Sequence, residues 1–148
     1  MKVTEAFLGE HGVFYAQFDY LESDLPKATL LDWVKVQAQL VGAALKTHAQ
    51  LEEELLFIPL DPHLGQMGPL NVMRMEHNEI EGTLEILPHA SDLETARGQL
   101  LNMMQVARQH FAKEEQVLYP MAEKALSYQE LSELGQMWAE RRSVAINI

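Results

Sequence analysis

No cysteine occurs in the chain, which excludes disulfides, thiolate metal sites and cysteine nucleophiles together. Basic residues are scarce as well, since 11 lysines and arginines stand against 22 aspartates and glutamates and leave a formal charge of −11. A surface of that sign repels nucleic acid and anionic membranes and favours cations. No stretch is apolar for about 18 residues, the length a membrane helix requires. The start, Met1 to His11, carries acids where a secretion signal would have its apolar run. These absences predict a soluble cytoplasmic protein with neither nucleic acid nor membrane as partner. Missing too are any strand-like alternation, low-complexity tract or internal boundary. What remains is 148 residues, 47% of them hydrophobic, enough for one domain spanning 1-148 with a real core.

The apolar residues recur at spacings of three and four, the period of a helix with one buried face. A first helix is predicted from about Thr4 to Glu22, with Phe7, His11, Phe14 and Phe18 inward. Pro26 suits the first turn of a second helix, which reads through Val34, Val41, His48, Glu52 and Leu55. Pro59 to Pro69, with Pro62, Gly65 and Gly68 inside it, reads as the longest loop. A third helix is expected from Leu70 to Leu87, stopped by Pro88. Ser91 to Glu94 forms a capping box opening a fourth helix, which Pro120 ends or kinks. Ser127 to Glu130 is a second such box, opening a short fifth helix to about Arg142. The fold class predicted is all-α: an antiparallel up-down-up-down four-helix bundle over about 4-126, with a C-terminal helix at about 128-142.

The buried stripes are interrupted by polar residues of one kind. In a helix, residues four apart share a face, so His48 and Glu52, His77 and Glu81, and His110 and Glu114 each aim an imidazole and a carboxylate at one point. Chance placement would give roughly one such pair or fewer. A lone histidine on an apolar face is ordinarily a core residue with ordinary partners. Here, however, alternating helix directions put His11, His48, His77 and His110 at nearly one level along the bundle. A core has few other ways to satisfy four imidazoles and three carboxylates. His63 and His89 fall in proline-flanked segments and read as exposed and incidental, while the methionines read as core filling.

Seven nitrogen and oxygen donors are too many for one tetrahedral zinc and suit two metal ions bridged by carboxylates. The donor set is His11, His48, Glu52, His77, Glu81, His110 and Glu114. Mixed imidazole and carboxylate ligation suits iron, with zinc or manganese as substitutes. The Glu-x-x-His motif of the other helical di-iron class is absent, as is the His-Glu-x-x-His motif of zinc proteases.

The order His11, His48-x-x-x-Glu52, His77 and His110-x-x-x-Glu114-Glu115, followed by Leu118-Tyr119-Pro120, resembles the hemerythrin-like family, the HHE cation-binding domains. The resemblance covers about residues 4 to 126. It implies an antiparallel bundle around two carboxylate-bridged non-haem iron ions, with Glu52 and the fourth-helix carboxylate as bridges and the four imidazoles as terminal ligands. It further implies a small diatomic or peroxide ligand, and a role in oxygen binding or sensing, stress response, peroxide decomposition as an enzyme, or iron storage and donation. A sensor without an output domain would signal through a protein partner.

Two departures stand out. Oxygen-carrying members have His-x-x-x-His where this chain has His77 and Glu81, and His-x-x-x-x-Asp where Glu115 would align. Helical geometry favours Glu114, because i+5 lies about 140° round from i, so Glu115 is expected to point away from the bundle axis. Glu81, if a ligand, would favour the ferric state and so oppose reversible oxygen carriage. A ligand pocket is expected among Phe14, Leu51, Met73 and Phe111.

Overall fold

A computed structural model describes residues 1–147, and these form helices and short turns with no strand among them. The helices are α1 (Val3–Asp24), α2 (Leu31–Glu52), α3 (Ile58–Leu64), α4 (Pro69–Ile86), α5 (Leu93–Lys113), α6 (Tyr119–Ala125) and α7 (Tyr128–Arg142). Four long helices and a fifth therefore build a helical bundle. Among the described residues no helix is long and apolar enough to cross a membrane.

α2 and α3, and likewise α5 and α6, are single rods interrupted by one π-helical turn, at Glu53–Phe57 and Glu114–Leu118. Each interruption lies just ahead of a proline, Pro59 or Pro120. A proline has no N–H to give to the carbonyl four residues back and its ring crowds that carbonyl, so the backbone widens locally instead of breaking. Pro120 thus neither ends the fourth rod nor stops it short of Ala125.

The segment expected as the longest loop is largely helical. α3 takes in both Pro59 and Pro62, anchored by the wholly buried Leu60, and only residues 65–68 leave the helical path. Gly65 and Gly68 make that turn at φ of 74° and 137°, which side chains with a Cβ rarely adopt. Arg74 of α4 clamps the corner, donating to Asp61 at 2.9 and 3.0 Å and to Glu53 at 2.8 to 3.1 Å. Pro26 sits in a short 3-10 turn, Leu25–Lys27, before α2 and not inside it. At α5 the cap is Asp92, whose carboxylate accepts from the Thr95 amide at 2.8 Å, so the box expected at Ser91 is displaced by one residue. The box at Ser127 and Glu130 forms as expected.

The core divides into two apolar clusters. One gathers Phe14, Phe18, Leu45, Leu100 and Phe111, and the other Phe7, Leu51, Leu56, Phe57, Leu70 and Leu118. Six polar residues are buried, and five of them belong to the donor set: His11, His48, Glu52, His110 and Glu114, each no more than 1% exposed.

Candidate metal centre

His11 lies about two turns into α1 and His77 about two turns into α4, while His48 and His110 lie in the last turns of α2 and α5. The four imidazoles meet because the rods alternate in direction. Their outer atoms, with two carboxylates, form two groups whose donor atoms all lie within 4.8 Å of one another: His11, His48, Glu52 and Glu114, and Glu52, His77, His110 and Glu114. Glu52 and Glu114 belong to both. His48 Nε2 and His77 Nε2 each stand 3.3 Å from Glu52 Oε2, His11 Nε2 stands 3.2 Å from Glu114 Oε2, and His110 Nε2 stands 3.0 Å from Glu114 Oε1. Metal bonds of about 2.1 Å meeting near right angles place neighbouring donors about 3 Å apart.

Whether these residues fit metal ions can be tested on their lone pairs. His48 Nε2, Glu52 Oε2, His77 Nε2, His110 Nε2 and both oxygens of Glu114 are buried with no hydrogen-bond partner among the described residues. Each such atom costs about 1–3 kcal/mol if left unsatisfied. All six belong to residues of the two groups, and unpartnered buried lone pairs of this kind are what bound cations require.

Without metal, this crowding displaces proton affinities in opposite directions. Burial and the neighbouring Glu52 charge push the Glu114 carboxyl up to about 8. Burial opposes ionisation of Glu52 too, but the imidazoles of His48 and His77 outweigh it and hold that carboxyl well down. Burial disfavours a charged His48, yet Glu52 and Glu10 overcome it and raise the imidazole to about 10. At His110 burial wins, and the imidazole falls below its ordinary range.

Glu81 lies in neither group. On α2 and α5 a step of four residues towards the C-terminus leads from imidazole to carboxylate, but α4 runs the other way. The residue on α4 level with the carboxylates is therefore four before His77, the buried Met73, and Glu81 stands a turn beyond His77, lining the groove between α2 and α4 with Lys46. His63 and His89 are exposed, away from the site.

Sequence reasoning missed the residues behind the imidazoles. His48 Nδ1 is 2.5 Å from Glu10 Oε2, His110 Nδ1 is 2.8 Å from Glu76 Oε2, and His11 Nδ1 is 3.0 Å from Glu115 Oε1. Such carboxylates fix the tautomer and ring direction of a ligating histidine. A signal was present, since Glu10 directly precedes His11 and Glu76 directly precedes His77. In each pair the histidine points into the core while the glutamate, about 100° round, reaches the histidine of another helix. Glu115 is not turned out from the bundle as expected. It sits behind His11 and accepts a further hydrogen bond from the Tyr15 hydroxyl at 3.0 Å, because the π turn beginning at Glu114 swings it towards α1. Glu115→Gln should accordingly keep metal but bind it about 10-fold more weakly in a metal titration, whereas changes at His63 or His89 should leave affinity untouched. Tyr119 is the other omission: its hydroxyl donates to Glu52 Oε1 at 2.9 Å and lies 3.1 Å from His11 Nε2. His77 is backed by a ring, stacked on Phe57 at a centroid distance of 5.3 Å.

The pocket agrees with the expectation at one residue of the four. Of Phe14, Leu51, Met73 and Phe111, only Phe111 lines the cavity that reaches the centre, a space of about 20 Å³ bounded also by Leu45, His48, His77, Ile80, Leu84 and His110. Comparison with known proteins agrees with this site. Residues 2–88 match the family model described as the Hemerythrin HHE cation binding domain, a span containing His11, His48, Glu52 and His77. No curated protein and no solved structure matches the chain. With more than half of its length matched and its buried donors paired as cation ligands would be, the chain belongs to the hemerythrin HHE cation-binding family.

Proposed function

We propose that the protein is a non-haem di-iron protein that reacts with oxygen, peroxide or nitric oxide in redox sensing or stress defence. The carrying observation is the pair of overlapping donor groups, which share Glu52 and Glu114 and leave six buried lone pairs converging between them. One ion would be held by His11 and His48 and the other by His77 and His110, with both carboxylates bridging. Iron suits a site of imidazole and carboxylate without thiolate, and supplies the one-electron chemistry by which small oxidants are bound or reduced.

The residues around the site favour a very small ligand. A space of about 20 Å³ takes roughly one water-sized molecule, and its walls are Leu45, Ile80, Leu84 and Phe111. It is bordered by both imidazoles of the His77 and His110 ion but by only one, His48, of the other, so the ion at His77 and His110 is the one we assign to the ligand. Glu81 and Lys46 stand at the rim of this cavity and also line the adjoining open groove of about 500 Å³. Glu81 would become a further ligand of the His77 ion if its side chain turned inward. Tyr119 holds Glu52 in place, and Glu10, Glu76 and Glu115 hold three of the imidazoles.

Elemental analysis of protein produced in iron-supplemented medium should give about two iron ions per chain; a metal-free product that refuses ferrous ion would overturn the reading. Anaerobic ferrous protein mixed with oxygen should convert rapidly to a ferric spectrum. A lasting charge-transfer band that bleaches on deoxygenation would instead make it an oxygen carrier.

A further inference from the structure

α7 lies outside the four rods that supply the donors, yet it is tied to one half of the centre. Trp138 and Arg142, one turn apart on α7, both donate to Glu10 Oε1, the indole Nε1 at 2.9 Å and the guanidinium Nε at 2.7 Å, and Arg142 Nη2 completes the ion pair at 2.6 Å. The second oxygen of the same carboxylate faces His48 Nδ1 at 2.5 Å. Glu10 is thus shared between the last helix and one donor imidazole, with its side chain only 12% exposed. A second tie touches both halves alike: Arg141 pairs at 2.7 Å with Glu54, in the π turn that directly follows the shared Glu52. Among the described residues the carboxylate behind the other half's His110 has no link to α7: Glu76 is bound by Lys113 of α5, the helix that carries His110 itself.

We propose that Glu10, Trp138 and Arg142 are positioning residues for the ion held by His11 and His48, so that docking of α7 and occupancy of that one position reinforce each other. This rests on the two-ion reading above. The physical basis is that a ligating imidazole binds well only in one ring orientation, set by the acceptor on its other nitrogen. A carboxylate held by one partner can swing towards water, whereas one held by three donors cannot. Linkage makes the effect reciprocal: whatever α7 adds to the affinity for that ion, the ion adds to the docking of α7.

The close seat of α7 gives a way to undock it without touching these side chains. A Cβ at Gly135 would stand 2.2 Å from the Met1 carbonyl oxygen, so a larger residue there must displace α7 or the Met1–Lys2 segment that leads into α1. The test uses the full chain and cobalt(II), titrated by calorimetry and by the visible bands of the bound ion. Wild type should take two ions. Trp138→Phe combined with Arg142→Met should weaken one of the two steps by about 10-fold and leave the other in place, and Arg142→Lys alone should recover much of the loss. Gly135→Val should reproduce the selective loss, with helix content by circular dichroism confirming the fold. Glu76→Gln should weaken the other step. Hydrogen exchange of the amides of α7 in wild type should slow on metal loading. Two bound ions with both steps unchanged in the Trp138 and Arg142 variant, or equal weakening of both, would overturn the coupling while leaving the two-ion site intact. A wild type that takes no cobalt would overturn both readings together.

Discussion

Loading with two divalent ions should raise the unfolding temperature by about 10 °C or more at neutral pH, and the gain should widen as pH rises from about 6 to about 9. An ion present at about 1,000 times its dissociation constant adds roughly 4 kcal/mol, and each kcal/mol is worth about 2–4 °C in a chain of this size. The pH trend follows from the metal-free state. His48 is raised to about 10 and Glu114 to about 8, so both hold protons more tightly folded than unfolded. Groups shifted upward contribute stability that is fully present below their unfolded values and is lost as pH climbs through their folded values. The metal-free protein should therefore weaken across the range from about 5 to about 10. Glu52 acts in the opposite sense: its lowered carboxyl contributes stability above the ordinary glutamate range, which is lost in acid. Metal binding displaces the protons that His48 and Glu114 hold, so affinity rises with pH while the metal-free form declines. Thermal unfolding with and without metal at several pH values measures this directly; a gain that shrinks between pH 6 and 9 would contradict it.

Replacing either shared carboxylate should have the largest effect on binding. Glu52→Gln or Glu114→Gln is expected to abolish stoichiometric binding of both ions, whereas His77→Ala should cost chiefly one. Glu52 Oε2 stands 3.3 Å from imidazoles of both groups, and the two oxygens of Glu114 face His11 and His110 separately. No other carboxylate enters either group, so nothing among the described residues replaces the lost bridge or its charge. The same change should act oppositely on the metal-free fold. Glu114→Gln removes a group whose ionisation is opposed by burial and by Glu52, and should raise the metal-free unfolding temperature at pH 9 by a few degrees. The site is held at a cost to stability, and the metal offsets it. Equilibrium dialysis with metal analysis distinguishes two ions, one and none; retention of one ion in Glu52→Gln would show that the bridges are not shared.

The sequence by itself determined the long helices and the family, because both rest on local spacing, but not α3. The three-and-four period marks the buried face of each rod, and the four imidazoles sit on those faces where a core should be apolar. His48 with Glu52 and His110 with Glu114 were legible for the same reason. What only the tertiary structure decided depends on the direction of neighbouring rods and on turns that break the period. His77 with Glu81 has the same spacing as the other pairs, yet α4 runs antiparallel to α2 and α5, which carries Glu81 away from the carboxylate level and puts Met73 there. Glu115 reaches His11 because the π turn ahead of Pro120 rotates it, something a uniform helical wheel cannot contain. Glu10 and Glu76 serve histidines 38 and 34 residues away in the chain, and Trp138 and Arg142 reach Glu10 from the far end of the sequence. Periodicity reports which side of a helix is buried; only packing reports which residue of another helix it meets there.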